Sequence, residues 1–183
     1  NFIIRYFEFL EKRCYKSTTK IITVTDAFKS KIIQLGIDQN KIEVVKNGAN
    51  LELYQPQEKN TELLQKYDLE DKFICSYIGT HGMAHNLDFI LDCIKEIKNH
   101  KYHFLLIGDG SEKQRLKERV FNESIVNITM LDSIKKEEVP FYLSTADVSI
   151  VNLKKDPLFK TVIPSKIFES AAMGIPILLG VAG

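Results

Sequence analysis

The sequence predicts an α/β fold built on a parallel sheet with helices on both faces. Two observations predict it. Short apolar runs at 73–78, 102–107, 128–131, 148–153 and 175–179 alternate with stretches of helical periodicity, and strands buried on both faces read as continuous apolar runs. Three of those runs also exit into conspicuous loops, two of them rich in glycine. In doubly wound sheets, ligands bind beyond the carboxyl ends of the strands.

Each element follows from its own residues. Phe2, Ile3, Tyr6, Phe7, Leu10 and Cys14 recur at helical spacing and predict an amphipathic helix over 2–17. A short strand at 21–25 precedes a helix at 27–35 that Gly36 closes, and 42–45 is a second short strand. Asn47-Gly48 marks a turn or hinge. We place a domain boundary there, with 1–46 the end of one α/β domain, 47–56 a linker and 57–183 most of a second domain. In the second part, Leu87, Ile90, Leu91, Ile94 and Ile97 mark the buried side of a helix. Further helices are expected at 112–120, 136–143 and 165–173. The chain begins at Asn1 within an apolar helical stretch and stops at Gly183 straight after a strand, so a piece of a longer protein is expected.

Composition narrows the function. A chain of 183 residues holds one good core or parts of two domains. The net charge of +1 offers no bulk electrostatic reason to bind nucleic acid. No apolar run approaches the roughly 18–20 residues that cross a bilayer. Cys14, Cys75 and Cys93 have no metal-ligand spacing, no Asp-x-Asp metal motif is present, and a reducing, cytoplasmic setting fits. Arg5, Lys12, Arg13, Lys16 and Lys20 stand beside several aromatics. That combination suits peripheral contact with an anionic membrane surface, and equally a helix packed on another domain with solvated lysines.

The candidate site gathers around the helix at 165–173. Pro164 and Ser165 are start residues, with Ser165 the expected N-cap, while Gly174 and Pro176 end the helix. Ile167, Phe168, Ala171 and Ala172 share one apolar side, so Lys166, Glu169, Ser170 and Met173 should form the exposed one. A cation and free first-turn N–H groups at a helix start suit a phosphate, and a carboxylate one turn on suits sugar hydroxyls. The strand-exit loops Gly79-Thr80-His81-Gly82-Met83-Ala84-His85-Asn86 and Gly108-Asp109-Gly110-Ser111 should converge on it. Their glycines let backbone N–H groups approach an anion, and Asp109 is a turn residue. Together these residues read as a nucleotide-diphosphate pocket.

The order of Val45-Lys46-Asn47-Gly48-Ala49-Asn50, Tyr77-Ile78-Gly79-Thr80-His81-Gly82, Leu106-Ile107-Gly108-Asp109-Gly110, Pro164-Ser165-Lys166-Ile167-Phe168-Glu169 and Ala172-Met173-Gly174-Ile175-Pro176 resembles family 4 of the retaining GT-B glycosyltransferases. The likeness is to the branch that builds bacterial O-antigen and exopolysaccharide chains, and it covers nearly the whole chain. It implies a Rossmann-like nucleotide-sugar domain preceded by the end of the acceptor-side domain. It also implies a nucleotide-sugar co-substrate (UDP by family habit), a lipid-linked or saccharide acceptor, and neither cofactor nor metal. Glu169 matches the glutamate that holds the donor ribose. Gly79, Thr80 and Gly82 match the phosphate loop, and residues 130–136, with Leu131, match the region that meets the base. Gly108, Pro164 and Ser165 complete the donor-binding set.

This chain departs from the family pattern at two places. The arginine and lysine that usually neutralise the diphosphate are replaced by Thr80 or His81 and by His85, and the usual first glutamate is Thr161. Charge stabilisation would then fall to Lys166, with His81 or His85 protonated, and affinity for a diphosphate should rise as pH falls toward 6. Two other classes stay open: a GT-B-fold sugar-nucleotide epimerase, and a non-catalytic subunit that keeps the pocket.

Overall fold

The computed structural model describes residues 2–181. They fall into two compact units, one running to Asn47 and including Thr161–Ile163, the other formed by Gly48–Lys160 and the residues from Pro164 onward.

The first unit is a helix followed by a small βαβ element. Helix α1 (Phe2–Ser17) forms as the periodicity predicts, and none of its residues is buried. Strand β1 (Ile21–Thr23) and strand β2 (Ile42–Val44) pair in parallel, with Ile21 opposite Ile42. Helix α2 (Asp26–Gln34) connects them. Thr25 caps it by accepting the Phe28 N–H at 3.1 Å. Ile21, Ile32, Ile37 and Ile42 form the core of this unit. Thr25 Oγ1 also donates to the Thr161 carbonyl at 3.0 Å.

The second unit carries a five-stranded sheet. Its strands are β3 (Phe73–Ile78), β4 (Tyr102–Ile107), β5 (Ile128–Leu131), β6 (Val148–Asn152) and β7 (Ile177–Gly180). They lie in the order β5-β4-β3-β6-β7, and every pairing is parallel. Helices α3 (Thr61–Lys66), α4 (Leu87–Glu96), α5 (Lys113–Asn122), α6 (Val139–Leu143) and α7 (Lys166–Ala172) connect or flank them. The alternation within strands sends side chains to two cores. Cys75, Tyr77, Phe104 and Leu106 meet Leu87, Leu91, Ile94 and Leu116 in one. Ile74, Leu105 and Ile107 meet Leu64 and Leu69 in the other. Both faces are therefore covered, as a parallel sheet requires.

The chain runs outward from β3 through β4 to β5, then returns to the far side of β3 for β6 and β7. That reversal puts a topological switch point at β3, where a crevice opens beyond the strand ends. In-register pairing of β3 with β4, from Phe73 opposite Tyr102 to Ile78 opposite Ile107, brings the two glycine loops side by side.

Several expectations are corrected. Helix α3 was not anticipated: at six residues it is too short for an apolar stripe, and Asn60 starts it by accepting the Leu63 N–H. The expected helix at 136–143 is a 3-10 turn, Lys136–Glu138, leading into α6 with Pro140 in its first turn. Proline there sacrifices no helical hydrogen bond. Strand β7 begins at Ile177, two residues beyond the expected start.

The sidedness of α7 is also corrected. Ser170 and Met173 are buried, and Ser170 Oγ donates to Ser149 Oγ of β6 at 2.8 Å. Ile167 and Phe168 are only half-buried and Ala171 is exposed. The small serine lets the helix approach β6 closely, so the polar side of α7 faces inward. Lys166 and Glu169 flank that buried stripe.

Candidate functional site

A cavity of about 390 Å³ opens at the carboxyl ends of β3, β4 and β5, beside the start of α7. Its wall includes Gly79, Thr80, Gly108, Ser165, Lys166 and Glu169 from the expected set. It also includes Tyr54, Asp109, Ser133, Ile134 and Lys136.

The two glycine loops extend the sheet beyond its strands. Gly79 N–H donates to the Ile107 carbonyl at 2.8 Å, and His81 N–H to the Asp109 carbonyl at 2.8 Å. Glu112 N–H returns the bond to the His81 carbonyl at 2.9 Å. The loops pack so closely that a Cβ on Gly108, where φ is 148°, would stand 1.8 Å from the Gly79 carbonyl oxygen. Only glycine fits there. Asp109 is the expected turn residue, its Oδ1 accepting the Gly110 N–H at 2.7 Å.

Lys113 locks the neighbouring strand exits. Its side chain is buried, with Nζ donating to the Gly108 carbonyl at 2.5 Å and to the Leu131 carbonyl, and pairing with Asp132 at 3.0 Å. Leu131 thus acts through its carbonyl beneath the site and does not line the cavity.

Lys166 reaches back across β3. Its Nζ lies 5.5 Å from the centre of the Tyr77 ring, a cation–π distance. Burial pulls the Lys166 ammonium below the usual lysine range, opposed by the Glu169 carboxylate. Tyr54 stands on the same cavity wall as the Glu169 carboxylate. Burial first, then this carboxylate, push the Tyr54 phenol up to about 12.

Other expected residues take different roles. Ser165 stands at the N-cap position as expected, but its backbone is already helical, with φ −59° and ψ −29°, and its side chain makes no capping bond. The N–H groups of Ile167, Phe168 and Glu169 are taken by the carbonyls of Pro164 and Ser165. The first turn therefore offers an anion at most the N–H groups of Ser165 and Lys166. Gly82 and Pro164 do not reach the wall.

The histidines change role most. His81 is fully buried, 0 % exposed, and neither ring nitrogen has a hydrogen-bond partner. Burial above all, and then Lys113, push its pKa down to about 4. His85 is half-buried and also shifted down, by burial and then by Lys166. Both rings lie 5.9 Å from Tyr77, and neither lines the cavity. As neutral rings packed on Tyr77 they are not the cations the sequence suggested.

Sequence reasoning missed Tyr54 and Lys136 as wall residues. Tyr54 sits in a segment read as linker, with no periodicity to mark it. Lys136 stood inside the region matched to the base and drew no separate attention. Among the described residues, no group of three or more His, Cys, Asp or Glu is arranged to hold a metal ion.

Residues 72–182 match the family described as Glycosyl transferases group 1. The chain belongs to that family. It is 23% identical over 175 residues to the probable glycosyltransferase WbjE of Pseudomonas aeruginosa, covering 95% of this chain and 42% of that protein. It is 26% identical over 149 residues to the putative teichuronic acid biosynthesis glycosyltransferase TuaH of Bacillus subtilis, covering 79% of this chain and 36% of that one. The chain therefore spans less than half the length of these relatives. Among solved structures, Anabaena HepE in complex with UDP and glucose superposes with a TM-score of 0.76 at 17% identity, over 91% of this chain and 45% of that one. The shared architecture is the GT-B fold with its five-stranded parallel sheet.

Proposed function

We propose that the cavity holds the nucleoside diphosphate of a nucleotide-sugar donor, and that the protein transfers the sugar during cell-surface polysaccharide synthesis. The observation that carries this reading is the pairing of Lys166 and Glu169 on one turn of α7, both lining the cavity with the Gly79 and Gly108 loops. The ammonium suits a diphosphate, and the carboxylate suits a ribose diol. Family membership and the polysaccharide roles named for the relatives supply the polymer context, and the UDP bound to HepE favours a UDP-sugar donor.

The chemistry asked of the site is electrostatic. Breaking the anomeric C–O bond leaves negative charge on the departing diphosphate, which Lys166 and the backbone N–H of Thr80 would stabilise. Orientation of donor against acceptor supplies much of the rest. The resemblance to retaining enzymes points to attack from the leaving-group face. The acceptor in this reading is a saccharide or a lipid-linked saccharide. A lipid-linked one would bring the protein to a membrane face, and among the described residues no helix is long and apolar enough to cross a membrane.

The reading is tested by incubating the protein with a panel of UDP- and GDP-sugars and a lipid-linked saccharide acceptor. Acceptor-dependent release of nucleoside diphosphate supports transfer. Interconversion of the free sugar nucleotides without an acceptor would replace it with epimerisation, and binding with no turnover would leave only a binding subunit.

A further inference from the structure

Tyr77 lies near the end of β3, 0 % exposed, and it touches both of the groups that would meet a diphosphate. Its hydroxyl donates to the Thr80 carbonyl at 2.7 Å. Its ring lies under Lys166, whose Nζ is 5.5 Å from the ring centre. A methyl group built on Gly79 would meet Lys166 Nζ at 2.5 Å and the Tyr77 hydroxyl at 3.7 Å, so loop, hydroxyl and ammonium come together at the exit of β3.

A phenylalanine would fill the same apolar space, so packing alone does not call for a hydroxyl. A buried phenol needs a hydrogen-bond partner, and the partner here is the main chain of the first glycine loop. The N–H groups of Gly79 and His81 are spent on the carbonyls of Ile107 and Asp109 at the exit of β4. The Thr80 carbonyl is tied down by Tyr77. Among the described residues the Thr80 N–H has no partner, and Thr80 is exposed on the cavity wall. A donor whose neighbours are fixed on both sides is ordered before an anion arrives, which lowers the entropic cost of binding. The ring acts on the second group, because an aromatic face attracts an ammonium and limits where it can sit.

We infer that Tyr77 is a positioning residue for the diphosphate-binding groups: its hydroxyl fixes the Thr80 main chain so that the free N–H is presented to the diphosphate, and its ring seats the Lys166 ammonium beside it. This inference rests on the donor-site reading above. Tyr77 does not line the cavity, so it acts only through Thr80 and Lys166.

The test is calorimetry with UDP and with uridine, which lacks the diphosphate. It compares the parent protein, Tyr77→Phe, Tyr77→Leu, Lys166→Met and the two double variants carrying Lys166→Met, with melting temperatures recorded alongside. Tyr77→Phe keeps the ring in the core and removes one hydrogen bond, so UDP should weaken roughly fivefold while uridine is unchanged, with the lysine present or absent. Tyr77→Leu removes the ring as well and should weaken UDP further, and that further loss should vanish in the Lys166→Met background. Equal weakening of UDP and uridine by Tyr77→Phe would show a merely structural tyrosine. A further loss in Tyr77→Leu that persists without the lysine would overturn the ring's part. Unchanged UDP affinity in Tyr77→Phe beside a weakened Lys166→Met overturns the inference and spares the donor site. A parent protein with no affinity for UDP, GDP or ADP overturns both.

Discussion

The Lys166 side chain lies directly against the Cα of Gly79: a methyl group built on that glycine would come within 2.3 Å of Lys166 Cε and 2.5 Å of its Nζ. The missing side chain is what lets a cation from α7 sit over the exit of β3. Gly79 also has φ of 150°, which other residues rarely adopt. Gly79→Ala should therefore cost roughly 1–3 kcal/mol of stability and weaken nucleotide binding by displacing the lysine. Urea unfolding and calorimetry with UDP check both halves, and an alanine variant with parent midpoint and affinity would contradict them.

Lys166 sets an alkaline limit on binding. In the free protein, burial favours its neutral amine, with Glu169 opposing, so its pKa lies below the ordinary lysine value. A bound diphosphate favours the ammonium. Binding then takes up a proton once pH exceeds the free-state pKa, and affinity falls as pH rises through it. Lys166→Met should bind weakly and lose that alkaline dependence. The histidines add no compensating rise toward pH 6, because both are shifted down. UDP affinity measured from pH 6 to pH 10 in buffers of different ionisation enthalpy reads out the proton uptake.

His81 makes the fold acid-sensitive. Its pKa falls to about 4 in the folded chain against an ordinary value of 6.5, so the unfolded chain binds more protons between those limits. Stability contributed by keeping the ring neutral is full above pH 6.5 and lost as pH falls, by up to roughly 1.4 kcal/mol per unit for one proton. Replacing it by an apolar residue, as His81→Leu, removes two unpartnered buried nitrogens and should flatten stability against pH between 4 and 6.5. Parallel curves for parent and variant would show that another group dominates.

Lys113 holds the exits of β4 and β5 together through the carbonyls of Gly108 and Leu131. Lys113→Met preserves the alkyl stem but leaves both carbonyls without that donor, at a cost of about 1–3 kcal/mol. Nucleotide affinity should fall with it, because Gly108 lines the cavity. Chemical denaturation reports the first effect, and an unperturbed unfolding midpoint would show that water replaces the ammonium.

The strands were the legible part of this chain. Residues 73–78, 102–107 and 128–131 were placed to the residue, because a strand covered on both faces leaves an unbroken apolar run between turn residues. The cavity's Gly79, Lys166 and Glu169 were legible because loop glycines and helix spacing are local patterns. What could not be read depends on contacts distant in sequence. Ser170 looked polar and exposed until Ser149, 21 residues away, supplied its hydrogen bond. His81 looked like a loop cation until the Gly108-Asp109-Gly110 turn closed over it. Tyr54 had no pattern at all, and its place in the cavity wall depends on packing against Leu143, Ala146 and Met173.

The measurement that bears most directly on the central claim is a crystal structure of the protein soaked with UDP. The account predicts the ribose hydroxyls within hydrogen-bonding distance of the Glu169 carboxylate, and the diphosphate against Lys166 and the backbone of Gly79 and Thr80. Density for UDP elsewhere, such as the apolar hollow lined by Phe89, Cys93 and Leu178, and none beside Glu169, would contradict it.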